Sequence, residues 1–435
     1  MQYPNIPHYR SLLEHLHEYA NLRCEYGANV KDVENILLKV EESLKSAIAQ
    51  INSLPIDDKL AMQEPNSLED IRKLRPDGPR RLWKRFNRDK YQDKLEGALL
   101  ARMAGCILGA AVEGWSIESM QKWSEFIDDQ FPPIDYWSQV KDPSGVRYGK
   151  SLNQDYTRDK MDGVPVDDDI TYTLLALLIV EDYGKDFTTD DVAKAWIKYL
   201  PMACTAEDIA LRNIKAGINA YEAADIGNPY CQWIGADIRS DGWAYLAPGY
   251  PEKAAEMAYR DAYLSHRRNG IYGEMFFSAA QAAAFEVDNS IDALKIGLTE
   301  IPENCLLARE IRWALEEGKN IKDYRDARQA VDDRFKGMSS VHTINNACLT
   351  IFGLIIGEND VTKVISQTVA MGLDNDCTTA TAGSIVGAIV GKKGIPEHWY
   401  KPFNNKIYTY MNNAEKFTID DVIDRFARQA EIILE

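Results

Sequence analysis

The chain has 435 residues, and its 50 Lys and Arg side chains are outnumbered by 67 Asp and Glu, which gives a formal net charge of −17. Because binding to the phosphate backbone of nucleic acids needs clustered Lys and Arg, this balance argues against nucleic acid as a partner. The longest uncharged apolar stretch, residues 347–357, is far shorter than the roughly 20 residues that cross a membrane, so we expect no membrane-spanning helix.

The seven cysteines form an odd set without a Cys-x-x-Cys pair. This pattern is typical of a reducing compartment and argues against a zinc site of the usual Cys/His spacing. The N-terminal residues have neither the basic start nor the apolar core of a secretory signal. Together these features predict a cytoplasmic protein.

The N-terminal part of the chain, residues 8–53, carries apolar positions at helical spacing and predicts two amphipathic helices. Residues 64–79 are rich in Pro and charge, and they predict an irregular linker. We place a domain boundary near residue 90. It separates a helical N-terminal extension, residues 1–90, from a second domain, residues 91–435.

Two later segments combine glycine with other small residues at helical spacing. One runs from Leu95 to Gly114 and the other follows Asp376. Glycine costs about 1 kcal/mol in a helix interior, so its repetition needs a compensating reason. We expect two buried helices in which glycine allows close approach of a neighbouring backbone.

Further helical patterns fill most of the remaining chain, and alternating strand patterns are scarce. These patterns cover residues 170–180, 192–200, 206–223, 251–264, 272–285, 291–298, 305–317, 340–356 and 420–434. The fold class predicted is therefore all-α, a large helical bundle. The exception is residues 117–166, where repeated Pro and Gly should break any long element, including at Asp142-Pro143-Ser144-Gly145; such segments are often functional loops.

Two acidic clusters stand directly before predicted buried helices: Asp167-Asp168-Asp169, and Asp374-Asn375-Asp376 with the hydroxyls of Thr378 and Thr379 behind it. One such cluster alone is explained as well by helix capping. An Asp-x-Asp pair followed by hydroxyls suits hard cations, although the glycine and glutamate of a calcium-binding EF-hand loop are absent. If the two clusters converge, their five carboxylates could hold two metal ions.

Three other side chains have both a structural and a functional interpretation. Glu113 closes the first glycine-rich helix, as either an exposed carboxylate or one held at the same end of the bundle as the aspartates. His266 and His342 flank apolar helices, a setting in which histidine is more often a hydrogen-bonded core residue than a catalyst.

Taken together, these motifs resemble the signature blocks of the ADP-ribosylglycohydrolase family, which includes ADP-ribosyl-acceptor hydrolases and dinitrogenase-reductase-activating glycohydrolases. The blocks are residues 97–113, residues 166–171, and residues 372–378 with 382–388. Supporting blocks lie at residues 235–239 and 261–266, and the resemblance covers about residues 95–400 in the same order.

The resemblance implies an orthogonal all-α bundle that holds two Mg²⁺, or Mn²⁺ in some members. Carried over by position, the metal carboxylates would be Asp168, Asp169, Asp374 and Asp376. Asp167 and Cys377 stand where the family usually has threonine, so Asp167 and Thr378 are added as candidate ligands, because cysteine is a poor ligand for magnesium. Many members also carry aspartate at the position of Cys106.

The resemblance also implies functional roles for two further groups of residues. Glu113, Asp168 and Asp376 are the candidate catalytic residues. The candidate substrate-binding residues are Gly235, Ala236, Asp237, Arg239 and His266.

The function implied is hydrolysis of a glycosidic bond at the ribose anomeric carbon of an ADP-ribosyl compound, either a protein or a small molecule. Such cleavage passes through an oxocarbenium-like state and needs a carboxylate that activates water. Two alternatives remain open. The excess of acids leaves room for a smaller, neutral N-ribosyl or nucleoside-like substrate, and the altered residues Asp167 and Cys377 leave room for a catalytically weak ADP-ribose-binding protein.

Overall fold

A computed structural model describes residues 3–4, 9–139 and 154–435, and helices dominate this part of the chain. The α-helices are α1 Tyr9–Glu25, α2 Val30–Asn52, α3 Asp58–Gln63, α4 Leu68–Leu74, α5 Arg88–Ala110, α6 Ile117–Ile127, α7 Asp168–Tyr183, α8 Thr189–Tyr199, α9 Thr205–Lys215, α10 Ser240–Leu246, α11 Pro251–Ala262, α12 Asn269–Ala284, α13 Ser290–Gly297, α14 Leu306–Glu317, α15 Tyr324–Arg334, α16 Thr343–Gly357, α17 Val361–Ala370, α18 Asn375–Val390 and α19 Ile419–Leu434. The strands of the described residues, β1 Ile407–Tyr408 and β2 Lys416–Phe417, form one short antiparallel pair. The prediction of an all-α fold is confirmed.

The chain divides into two compact units, Met1–Met62 and Gln63–Glu435. The first contains α1 and α2 and matches the two predicted amphipathic helices; α2 has no buried residue. The second contains nearly all of the hydrophobic core. It begins at Gln63, well before the boundary that the sequence suggested near residue 90.

The segment predicted to be an irregular linker is an ordered part of the second unit. It contains α4, which is capped by Ser67 and has Ile71 fully buried. Arg75 and Arg80 form ion pairs of 2.5 and 2.9 Å with the buried Glu300. The linker prediction was wrong because these charges are paired within the fold rather than exposed to solvent.

The two glycine-rich helices, α5 and α18, pack directly against each other. A Cβ atom on Gly97 would overlap the carbonyl oxygen of Gly387, and one on Gly105 would overlap that of Thr379. The contact also runs in the other direction, since a Cβ on Gly383 would overlap the Ala101 carbonyl. The predicted reason for these glycines, close approach of a neighbouring backbone, is confirmed.

The predicted helical patterns correspond to observed helices, with shifted ends. The pattern at residues 206–223 is too long, because α9 ends at Lys215 and Gly217 follows with a positive φ of 87°. The expectation that residues 117–166 contain no long element was also wrong. Helix α6 begins after the capping residue Ser116 and buries Trp123; residues 142–145, named above as a break, lie outside the described residues.

No helix of the described residues is both long and apolar enough to cross a membrane.

Candidate functional site

The first acidic cluster forms the start of α7. Asp167 is the N-cap residue, and its side chain accepts a hydrogen bond of 3.0 Å from the Asp169 backbone N–H. Arg102, buried on α5, donates to the Asp169 carbonyl at 2.8 Å and lies 3.3 Å from the Asp169 carboxylate. Its other arm lies 2.7 Å from Asp241. The Arg102 guanidinium therefore holds both the backbone and the side chain of Asp169 in position.

The second cluster forms the start of α18. The turn before it places Gly372 and Leu373 at positive φ values of 71° and 62°. The Asp374 backbone N–H then donates to Asn346 Oδ1 at 3.3 Å. Close contact between Gly109 of α5 and the backbone of Asp376 holds this helix end against the first glycine-rich helix. Asp374 and Asp376 are both buried.

The fold brings the two clusters together. Carboxylate oxygens of Asp169 and Asp376 and the thiol of Cys377 lie within 4.8 Å of one another, and the Cys377 thiol donates to Asp169 Oδ2 at 3.2 Å. Glu113, Asp374 and Asp376 form a second group of the same size. A hydrogen bond of 3.2 Å from Gly114 N–H to the Leu373 carbonyl links the residue after Glu113 to the turn before Asp374.

Burial and mutual repulsion raise the pKa values of these acids. Desolvation, with Asp168 as the next cause, raises the pKa of Asp167 to about 8. Desolvation together with Asp374 and Asp168 raises the pKa of Glu113 to about 7. The pKa of Asp376 lies well above its usual range for the same reasons. Such a group favours any ligand that supplies positive charge.

The donor set fits a divalent cation. Carboxylate oxygens are the preferred protein ligands of Mg²⁺ and Mn²⁺. Asp376 Oδ1 is buried and has no hydrogen-bond partner among the described residues, as expected for an oxygen that is free to ligate. The Thr378 hydroxyl, one of the predicted ligands, is buried on α18 and likewise lacks a partner there.

Most of these acids border a cavity of about 400 Å³, whereas the buried Asp169 and Thr378 do not line it. The volume is typical of small-molecule sites. The cavity wall contains five of the predicted catalytic and metal-binding residues: Glu113, Asp167, Asp168, Asp374 and Asp376. Gly235 also lines it, but Ala236 does not. Most of the other lining residues are apolar or aromatic: Val166, Tyr172, Met202, Trp233, Ile234, Ile238, Val341 and Tyr410.

Besides Ala236, the three polar substrate-binding residues that were predicted are also buried and do not line the cavity. Asp237 accepts a hydrogen bond from the Thr343 hydroxyl. Arg239 lies 2.7 Å from Asp261 and 3.3 Å from Glu274. His266 is fully buried, and desolvation holds its pKa well below the usual range. The polar atoms of Asp237 and Arg239 are directed into the protein because the short helix Ile234–Arg239 presents only part of its surface to the cavity. His266 lies in the segment between α11 and α12.

Glu207 is a cavity residue that the sequence did not reveal. It lies in the first turn of α9, and its carboxylate is 3.1 Å from Arg239. It also touches Gly235, where a Cβ atom would overlap its oxygens. Desolvation raises its pKa to about 7 although Arg239 opposes the shift. The sequence around Glu207 is that of an ordinary amphipathic helix and does not predict a position in the cavity wall. That position is evident only from the pairing of Glu207 with Arg239 in the structure.

His342 caps α16, with Nδ1 accepting a hydrogen bond of 3.2 Å from the Ile344 N–H. This supports the structural interpretation of that histidine.

Comparison with known proteins identified a family and structural relatives. A family model described as ADP-ribosylglycohydrolase matches residues 87–431. A solved structure named "ADP-ribosylglycohydrolase-related protein complex" aligns with a TM-score of 0.52 and 17% sequence identity, covering 80% of this chain and 100% of that chain. At that identity the structural match supports the fold. No curated protein matches the chain in sequence.

Proposed function

Because the chain belongs to the ADP-ribosylglycohydrolase family, we propose that it cleaves the glycosidic bond at the ribose anomeric carbon of an ADP-ribosyl compound. Members of this family are glycosyl hydrolases that act on such compounds. We also propose that the cleavage depends on bound divalent cations. The observation that carries this proposal is the convergence of two acidic helix starts and Glu113 on one cavity. Two Mg²⁺, or Mn²⁺, are the cations we propose.

The need for a cation follows from the charges at the cavity. Among the described residues that line it, none is Lys, Arg or His, whereas six are Asp or Glu. The pyrophosphate of an ADP-ribosyl substrate is anionic and would be repelled by such a wall. Bound cations reverse the sign of the local field, so substrate binding itself should depend on them.

The cation ligands in this proposal are Asp168, Asp169, Asp374 and Asp376, with Asp167 and Thr378 as additional donors. Asp169 is held by Arg102, and Asp376 has a free buried oxygen. When bound, divalent cations supply electrophilic stabilisation of negative charge and orient bound groups.

The proton transfers fall to Glu113. Its raised pKa, about 7, lets it hold or release a proton near neutral pH, which suits general acid–base work. It would accept the proton of the attacking water as the bond to the ribose carbon breaks. Glu207, on another part of the wall, is placed to accept a hydrogen bond from a substrate hydroxyl. The aromatic side chains Trp233 and Tyr410 would pack against the ligand and exclude water.

The proposal is tested with Asp376→Ala in the full-length chain. We expect loss of Mn²⁺ binding, measured by calorimetry, and of Mg²⁺-dependent release of ADP-ribose from ADP-ribosyl-arginine and ADP-ribosyl-serine. Asp77→Asn, at an exposed position outside the cavity, is the matched control and should behave as the natural chain. Full activity of Asp376→Ala in chelator-treated buffer would overturn the proposal.

A nucleoside panel assayed in parallel separates the substrate classes. Turnover of nucleosides but not of ADP-ribosyl compounds would replace the proposed substrate with a smaller one. Tight binding of ADP-ribose without turnover of any substrate would instead identify a binding protein.

A further inference from the structure

Two cysteine thiols enter the acidic cluster, and the proposed hydrolysis uses neither. Cys377 lies within 4.8 Å of carboxylate oxygens of Asp169 and Asp376, and all three residues are buried. On the other side, Cys106 lies equally close to Asp167 and Asp169. The sequence shows no local cysteine pair, so the fold alone assembles this mixed sulfur and oxygen donor set.

The candidate metal ligands form one group that contains only carboxylate oxygens and another that also contains a cysteine sulfur. The group formed by Glu113, Asp374 and Asp376 offers only oxygen and includes the partly exposed Glu113, whereas the group with Cys377 is buried throughout. Hard cations such as Mg²⁺ select oxygen ligands, and thiolates select zinc-class ions. A single cation type is therefore not the best match for both groups.

We propose that Asp169, Asp376 and Cys377 form a site for a thiophilic divalent cation of the zinc and cadmium class, with the Cys377 sulfur as a direct ligand. This inference rests on the proposed function, because it names the class of metal that one part of the same site takes. This ion would take the place of one of the two hard cations of the proposed function. Asp168 and Asp374, which line the cavity, remain for the other, and Glu113 remains the acid–base group.

Three observations support the assignment. The Cys377 sulfur is 3.2 Å from Asp169 Oδ2, so a modest adjustment could bring both atoms to one ion. Asp376 Oδ1 is buried without a hydrogen-bond partner in the described structure. Three protein ligands are also the number found in zinc sites that keep one position open, and both Asp376 and Cys377 reach the cavity wall.

Binding at this site has a defined proton balance. The Cys377 thiol at present donates its hydrogen to Asp169. On metal binding the S–H proton is released to the buffer, the sulfur binds as thiolate, and no electrons are transferred. Because Mg²⁺ does not favour a thiolate ligand, it should not displace a thiophilic ion from this site. Because Asp376 belongs to both groups, that ion should also change the affinity of the neighbouring position for its cation.

The test uses Cd²⁺, whose bond to thiolate gives an ultraviolet charge-transfer absorption that carboxylates do not give. The full-length chain first receives Cys24→Ser, Cys204→Ser and Cys231→Ser, which removes the thiols that are not fully buried. In this background we expect stoichiometric Cd²⁺ to produce the band, and excess Mg²⁺ not to remove it. Adding Cys377→Thr, which replaces the thiol with a small hydroxyl side chain, should abolish at least half of the band.

The matched control is Cys348→Ala, a buried thiol on α16 that lies 3.7 Å from the Glu310 carbonyl and belongs to none of the acidic groups. It should leave the band unchanged. Circular dichroism checks that each variant is folded, and Cys377→Ser serves as a second substitution if Cys377→Thr is not.

The outcomes separate this inference from the proposed function. A missing band in a chain that binds Mn²⁺ and hydrolyses ADP-ribosyl substrates overturns the thiolate site and leaves the function standing. A band that survives both Cys377 substitutions also overturns it. A band lost with Cys377, in a chain that hydrolyses none of the substrates, supports the thiolate site and overturns the function.

Discussion

The packing of α5 against α18 predicts that replacing Gly387 with alanine destabilises the fold. Alanine at this helical position should gain about 1 kcal/mol from helix propensity. However, a Cβ there would lie 2.7 Å from the carbonyl carbon of Gly97 and 2.9 Å from Ala101 Cβ, whereas carbon atoms pack at about 3.5–4.0 Å. The helices would have to separate by about 1 Å.

That separation is costly because the obstacle is backbone. Overpacking a tight core costs about 1–3 kcal/mol and sometimes more. Since the same two helices also meet tightly at Gly105 and Gly383, we expect the upper end of this range. After the propensity gain is subtracted, Gly387→Ala should lower the free energy of unfolding by about 2 kcal/mol.

Gly109→Ala distinguishes packing from function. Its Cβ would lie 2.5 Å from the Asp376 backbone nitrogen, so we expect a similar loss of stability together with at least a tenfold loss of Mn²⁺ affinity. Gly387→Ala, at the other end of α18, should keep most of that affinity.

Urea unfolding followed by circular dichroism and Mn²⁺ calorimetry measure the two effects. Gly227→Ala is the control, because Gly227 has a φ of 66° and open space around its Cα; it should lose only about 1 kcal/mol to backbone strain. If Gly387→Ala is as stable as the natural chain, or more stable, helix propensity governs this position and the packing argument is wrong.

Three further predictions concern the site and its supports. Glu113→Gln should lower the rate of hydrolysis by about 100-fold or more while Mn²⁺ still binds, and an unchanged rate would remove Glu113 from catalysis. Arg102→Met should destabilise the fold by about 3–5 kcal/mol, because two buried carboxylates lose their counter-charge; a thermal shift within error of the natural chain would contradict this. Burial lowers the pKa of His342 to about 4, below the value of about 6.5 in the unfolded chain. The folded state therefore binds fewer protons, and this residue's contribution to stability, present above pH 6.5, should be lost as pH falls from 6.5 to 4, by up to about 2–3 kcal/mol. His342→Asn keeps an N-cap acceptor and should flatten that slope, measured by unfolding at several pH values; an identical slope would assign it to other groups.

The features that the sequence predicted well are local in origin. Repeated small residues at helical spacing indicate a close contact with another backbone, even when the sequence does not identify the segment that makes the contact. Acidic residues before an apolar run mark a helix start, so the positions of Asp167 and Asp376 at the beginnings of α7 and α18 could be predicted directly. The glycine-mediated contact between α5 and α18 also positions the second acidic cluster, because Gly109 packs against the backbone of Asp376.

The features that the sequence missed depend on distant partners. Arg75 and Arg80 looked solvated, but both pair with Glu300, more than 200 residues away. The same limit applies to the loop at residues 235–239. Its position at the cavity could be expected, but which side chains face inward depends on the exact turn of a short helix, and Arg239 faces the buried Glu274.

The charges around the cavity are arranged in two layers. The front layer is acidic and borders the cavity, and the back layer contains two fully buried arginines, Arg102 and Arg239. Each arginine is shared among carboxylates: Arg102 pairs with Asp169 and Asp241, and Arg239 pairs with Glu207 and two others. Of these partners, Glu207 lines the cavity and the others lie behind it, so the positive charge is already paired and does not neutralise the surface that a ligand meets. If the chain acts on an anionic ADP-ribosyl substrate as proposed, the positive charge at the front comes from solution, and we therefore expect cation binding and substrate binding to be coupled at this site.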